Sequence, residues 1–173
     1  MKICAPINLN HGLLNMDIID SHAHLFMDEF KDDFHAVLGL AREAGVKKII
    51  NVGLEAETNL AVLEASLATA GLCPALGWHP HEAKGFDEGY LPTLLGLLGR
   101  PEVVALGEIG LDYYWDKGFI ETQKSSLAQL LELGAEAGKP VIIHCREAWD
   151  DFFCILKPFR PKLKDVLLHC YSG

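Results

Sequence analysis

Met16-Asp17-Ile18-Ile19-Asp20-Ser21-His22-Ala23-His24 is a short apolar strand that runs straight into two histidines. In an extended chain successive side chains alternate faces, so His22 and His24 point the same way, one strand repeat apart. Two imidazoles sharing a face make half of a transition-metal site. Standing alone, the pair reads more readily as two solvated or hydrogen-bonded histidines. Asp20 allows two readings as well: it orients one imidazole, or it caps the turn that follows. The remainder of the chain decides between a metal site and a bland pair.

Outward from this stretch, strand and helix patterns alternate without a break. Short apolar runs predict strands at 17–20, 47–52, 73–78, 102–108, 140–144 and 165–169. None shows a clean in–out alternation, which suits parallel strands buried on both faces. Helical spacing of apolar residues fills the gaps at 29–44, 56–70, 88–99, 121–137 and 147–157, with Gly45, Gly71, Gly99 and Gly138 as stops and Pro158 ending the last. Repeated βα units build either a doubly wound open sheet or a (β/α)₈ barrel. No glycine-rich phosphate loop follows any strand, and the barrel is the expected fold. Six of its eight βα units are present.

The polar residues fall at the strand ends. His22 and His24 follow the first strand, His79 and His81 the third, Glu108 and Asp112 the fourth, His144 and Arg146 the fifth, and His169 the sixth. Parallel strands bring their C-terminal ends to one rim, where barrel enzymes carry their sites. Of the eight histidines only His11 and His35 lie elsewhere, and neither is given a role. Chance placement would have scattered these residues over helices and loops.

The ligand types then set the chemistry. His22, His24, His144 and His169 offer neutral nitrogens, and Glu108 a carboxylate able to bridge two ions. This mixed set suits Zn²⁺, Mn²⁺, Fe²⁺ or Ni²⁺, with Mg²⁺ less suited on its own. Two such divalent ions would clamp a scissile phosphate or carbonyl and supply hydroxide at neutral pH. Arg146 is placed either to hold an anionic oxygen or to form an ion pair at a helix start. His79 and His81 contact phosphate, move a proton, or support structure. Tyr113, Tyr114 and Trp115 form a lid on the rim or stack on a base or sugar.

Composition narrows the class. Half of the 173 residues are apolar and 23% are charged, as in an ordinary globular domain. The apolar runs are strand-sized, so no membrane span is expected. A net charge of −9 argues against a broad basic nucleic-acid surface but leaves room for a phosphate held at a metal centre. The basic run Lys157 to Lys164 reads as a helix end and connection. Five cysteines without CxxC spacing read as reduced thiols of a cytoplasmic protein, and Cys145 and Cys170 are expected to face a helix layer. Residues 1–15 read as a loosely attached extension and 16–173 as the domain.

DSHAHL, GWHPH, GEIGLDYYW, VIIHCREAWDD and LLHCYSG, in this order and spacing, resemble the TatD-type metal-dependent deoxyribonucleases of the amidohydrolase superfamily. The resemblance runs from Met16 to Gly173. It implies a TIM barrel with a dinuclear metal centre that hydrolyses DNA phosphodiester bonds, with DNA as the expected substrate. His22, His24, Glu108, His144 and His169 match the family's metal ligands. His81, Asp112 and Arg146 fall in motifs given substrate or catalytic duty. The family pattern continues past the HCxSG motif with two more strands and a metal-binding aspartate, so this chain reads as the N-terminal part of such an enzyme. No earlier strand-end carboxylate looks able to replace that aspartate. The expectations are weak metal binding, little nuclease activity, and open strand edges that favour self-association. A related hydrolase of small esters, lactones or amides, or an inactive fragment, are the alternatives.

Overall fold

The computed structural model describes residues 17–115 and 117–171. The expected extension at 1–15 lies outside these described residues. The elements are β1 (Ile18–Ala23), α1 (Phe34–Glu43), β2 (Val46–Val52), α2 (Ala56–Ala68), β3 (Leu72–Leu76), α3 (Leu91–Leu98), β4 (Ala105–Asp112), α4 (Ile120–Ala137), β5 (Val141–Arg146), α5 (Trp149–Phe159) and β6 (Val166–Leu168). All six strands are parallel and pair in the order β1-β2-β3-β4-β5-β6. A doubly wound sheet reverses direction at a switch point, whereas barrel winding adds every strand beside its predecessor. The observed order is the barrel's, so the open-sheet alternative falls.

The sheet is curled. The imidazole rings of His22 on β1 and His169 just after β6 stack with centroids 3.6 Å apart, although these strands occupy opposite ends of the sheet. Neighbouring strand residues serve different layers. Leu76, Leu106, Val141 and Ile143 join Leu94, Leu98, Leu127, Leu131 and Phe152 of the helices in the main core. Val52, Ala75, Ala105 and Ile142, each one residue away from those strand positions or on the adjacent strand, form a separate inner cluster. A third cluster, around Leu25, Leu38, Ile49 and Leu72, seats α1.

Several sequence expectations need correction. β4 begins at Ala105 and runs to Asp112, so Glu108 lies inside the strand and only Asp112 at its end. Likewise β1 continues through His22, with a register shift against β2 between Asp20 and Ala23. The first helical pattern splits into a 3₁₀ turn at Asp28–Phe30 and α1. α5 continues through Pro158 to Phe159; the carbonyl that Pro158 cannot bond belongs to the exposed Cys154 in the last turns, where water can reach it. Burial on both faces fails at the sheet's ends, because β1 and β6 each pair on one side only: Ile19 is 59% exposed and Leu167 36%. Cys145 is buried in the helix layer as expected, but Cys170 is exposed, since the chain turns there at φ 46° instead of extending.

One glycine is demanded by the geometry near the rim. Gly110 has φ +153° and pairs with His144, and a Cβ on it would collide with the His144 carbonyl. Only glycine lets β4 and β5 approach this closely beside the histidine.

Candidate metal centre

Glu108 is the hub of the rim. It is 2% exposed, and its two carboxylate oxygens face different histidines. Oε2 lies 3.1 Å from His22 Nε2, 3.5 Å from His24 Nε2 and 3.7 Å from His79 Nε2, while Oε1 lies 3.0 Å from His144 Nδ1. Burial works to raise its pKa, but hydrogen bonds from His144, His22 and His24 outweigh it and hold the carboxyl well below the usual range. The hub is therefore an ionised carboxylate in a cleft of about 290 Å³, walled by His24, Met27, Leu54, His79, His144 and His169.

The proton positions follow from the partners. His24 Nδ1 is 2.8 Å from the Val52 carbonyl, which only accepts, so Nδ1 carries a hydrogen and Nε2 is the nitrogen left to face the site. That nitrogen lies 3.0 Å from His22 Nε2. Two imidazole nitrogens and a carboxylate oxygen thus converge on one small volume, with His22 Nδ1 buried and unpartnered behind them. His22, Glu108 and His169 also place one ligand atom each within 4.8 Å of one another, and burial lowers the His169 pKa so that its ring is neutral. Imidazole nitrogens around an ionised oxygen are the donor set a divalent ion takes, and the residues fit such an ion.

His144 is placed differently. Nδ1 faces Glu108 and Nε2 lies 2.8 Å from Asp112 Oδ2, so both ring nitrogens meet carboxylates. Burial works to lower its pKa, yet the hydrogen bonds and charges of Glu108 and Asp112 raise it above the ordinary value. Ligation by this ring would release a proton.

Asp112 closes the second half of the site. Oδ2 also holds His81 Nε2 at 2.9 Å, and His81, Asp112 and His144 form a further group able to hold a metal ion. The expectation that no other strand-end carboxylate could serve is thereby revised. Burial raises the Asp112 pKa, but His144 and His81 bring it down to about 2. His79 Nδ1 accepts from the His81 amide at 3.1 Å, and burial drops its pKa to about 3, so the ring is neutral with its hydrogen on Nε2. It is a donor, not a lone-pair ligand.

The remaining expected residues divide. Asp20 Oδ1 accepts from the His22 backbone at 3.0 Å, which is the turn-capping alternative. Arg146 does not reach the histidines; its guanidinium lies 3.7 Å from the Tyr114 ring centroid, and among the described residues it forms no ion pair. Tyr113 bonds Asp151 Oδ2 at 2.7 Å, while Tyr114 and Trp115 stay exposed, so no lid packs on the rim.

Three buried amides escaped the sequence reading. Asn51 accepts the Leu25 amide at 3.0 Å and fixes the chain just beyond His24. Asn59 brackets Gly77, accepting its amide at 3.0 Å and donating to its carbonyl at 2.9 Å. Gln123 of α4 does the same for Asp112, at 2.8 and 3.1 Å. Their signal was a lone amide in an apolar pattern, which alone does not name a partner.

A curled parallel sheet with histidines and carboxylates gathered at its C-terminal rim defines the barrel proteins whose sites lie at strand ends. The sequence profile of the TatD related DNase family matches residues 19–173, and the chain belongs to that family. It is 33% identical over 156 residues to YabD of Bacillus subtilis, described as a metal-dependent hydrolase, covering 90% of this chain and 61% of that protein. It is 36% identical over 157 residues to the 3'-5' ssDNA/RNA exonuclease TatD of Erwinia tasmaniensis, with 90% and 61% covered. The crystal structure of YjjV, a TatD homolog of Escherichia coli K12, superposes with a TM-score of 0.84 at 36% identity, covering 91% of this chain and 61% of that one. A TatD-family hydrolase of Entamoeba histolytica gives 0.76 at 28%, with 91% and 59% covered. The chain thus spans about three-fifths of the length of the relatives it matches. No helix among the described residues is long and apolar enough to cross a membrane.

Proposed function

We propose that the chain belongs to a metal-dependent phosphodiesterase acting on DNA, and that 16–173 is its metal-bearing domain. The observation that carries this reading is Glu108, an ionised and buried carboxylate with one oxygen facing His22, His24 and His79 and the other facing His144. His22, His24, Glu108, His144 and His169 would hold the divalent ions. Bound there, such ions supply Lewis acidity and a nucleophilic water at neutral pH. The names of the exonuclease relatives favour single-stranded substrate. Four free thiols among the described cysteines favour a reducing, cytoplasmic setting.

The protein's own groups have distinct tasks. His79 Nε2–H donates to a phosphate oxygen without adding charge. Asp112 Oδ2 holds His81 Nε2 and fixes the ring, which leaves Nδ1 as the nitrogen able to exchange a proton with a reacting oxygen. Arg146 provides a fixed positive charge for a neighbouring phosphate in a chain whose net charge is −9.

The test is cleavage of an end-labelled single-stranded oligonucleotide by the purified chain with Mn²⁺ or Zn²⁺. Slow cleavage that a chelator stops and Glu108→Gln removes is expected. Hydrolysis of small esters or lactones with the oligonucleotide untouched would overturn the assignment.

A further inference from the structure

We propose that Tyr114, Trp115 and Arg146 form a stacking platform for an unpaired nucleobase of the substrate strand, an inference that rests on the phosphodiesterase reading. Of the three aromatics after β4, Tyr113 turns inward to Asp151, but Tyr114 is 47% and Trp115 65% exposed. Adjacent large aromatics left in water at the rim of a site are surface that a ligand covers. The Arg146 guanidinium lies 3.7 Å from the Tyr114 centroid and 5.5 Å from that of Trp115, and the two rings meet edge to face at 4.9 Å. Arg146 is itself exposed. The cluster therefore offers flat π surface and a cation with no carboxylate partner among the described residues, which together match a base and its phosphate.

The platform is indexed to the site through one carboxylate. Asp112 Oδ1 accepts the amides of Tyr114 at 2.9 Å and Trp115 at 3.1 Å, while Oδ2 holds His81 and His144. Gln123 in turn clamps the Asp112 backbone, so the aromatic turn and the histidines share one rigid mount. Stacking needs an open base face, which a duplex hides. The platform thus selects single strands, and it does so without the broad basic surface that this acidic chain lacks.

Binding is measured with a chelator present, so that no cleavage intervenes, by anisotropy of a labelled short oligothymidylate and of an abasic strand of equal length. The intact chain is expected to bind the oligothymidylate about tenfold more tightly than the abasic strand. Trp115→Ala should remove that difference and leave abasic binding unchanged, whereas Trp115→Tyr should restore most of it. Arg146→Ala should weaken both strands. Both Trp115 variants should keep the wild-type melting temperature, because the side chain packs mostly against water. Equal binding of the two strands by the intact chain, or an unaltered difference in Trp115→Ala, would overturn the platform. Base-dependent binding together with no cleavage by the metal-loaded chain would uphold it and count against the hydrolytic reading alone.

Discussion

The rings of His22 and His169 stack at 3.6 Å and 16° although their strands sit at opposite ends of a six-stranded sheet. That contact measures the curl: the rim closes on itself through side chains while the strands bearing them stay unpaired with one another. His22 Nε2 points at Glu108 from the same stack, so the curvature of the sheet and the assembly of the site are one event.

Metal should bind and stabilise. Melting temperature is expected to rise with added Zn²⁺ or Mn²⁺, by about 2.7 kcal/mol of stability when the ion exceeds its dissociation constant a hundredfold. The double variant His22→Ala with His24→Ala should lose both the bound ion and the shift. Equal metal content by elemental analysis in the two proteins would refute the ligand assignment.

Gly110→Ala is expected to cost about 3 kcal/mol or to prevent folding, because the new methyl meets the His144 carbonyl and the φ of +153° disfavours an L side chain. Denaturant titration checks this. Gly96→Ala, at a helical glycine with open space around its Cβ position, should change stability little.

Cys145 should resist alkylation in the folded protein. Burial pushes its thiol up to about 12, with the Asp112 charge acting in the same direction. The thiolate is the reactive form, so Cys145 stays inert at pH 8 while the exposed Cys154 and Cys170 react. Because the folded pKa is the higher one, this thiol's contribution to stability is whole below about pH 9 and is lost between there and about 12. Peptide mapping after iodoacetamide treatment, native against denatured, reads the difference.

The exposed apolar residues of β1 should favour self-association of this chain. Ile18 and Ile19 of β1 are 39% and 59% exposed on a strand that, among the described residues, pairs on one side only. Ile19→Lys is expected to shift sedimentation toward monomer, since a charged edge residue opposes strand addition. An unchanged, concentration-dependent mass in the variant would place association elsewhere.

Much of the fold was legible because its signals are local. A strand repeat puts His22 and His24 on one face, apolar runs mark the strands, and parallel winding sends every strand end to one rim. The splitting of the first helix and the passage of α5 through Pro158 were not legible, since tertiary packing and solvation outweigh a single breaker. The reach of β4 past Glu108 was hidden too, because a carboxylate inside a strand is tolerated only when distant histidines ionise and bond it.

The chain alone marked which histidines and carboxylates gather at one rim, through alternation along strands and the order of the βα units. Only the tertiary structure decided what each does there. The Val52 carbonyl anchors His24 Nδ1, two histidines within β1 and β5 and two just beyond β1 and β3 converge on Glu108, and Arg146 turns from the histidines to Tyr114. Those outcomes depend on protons and partners brought together across tens of residues, and no spacing within one strand encodes them.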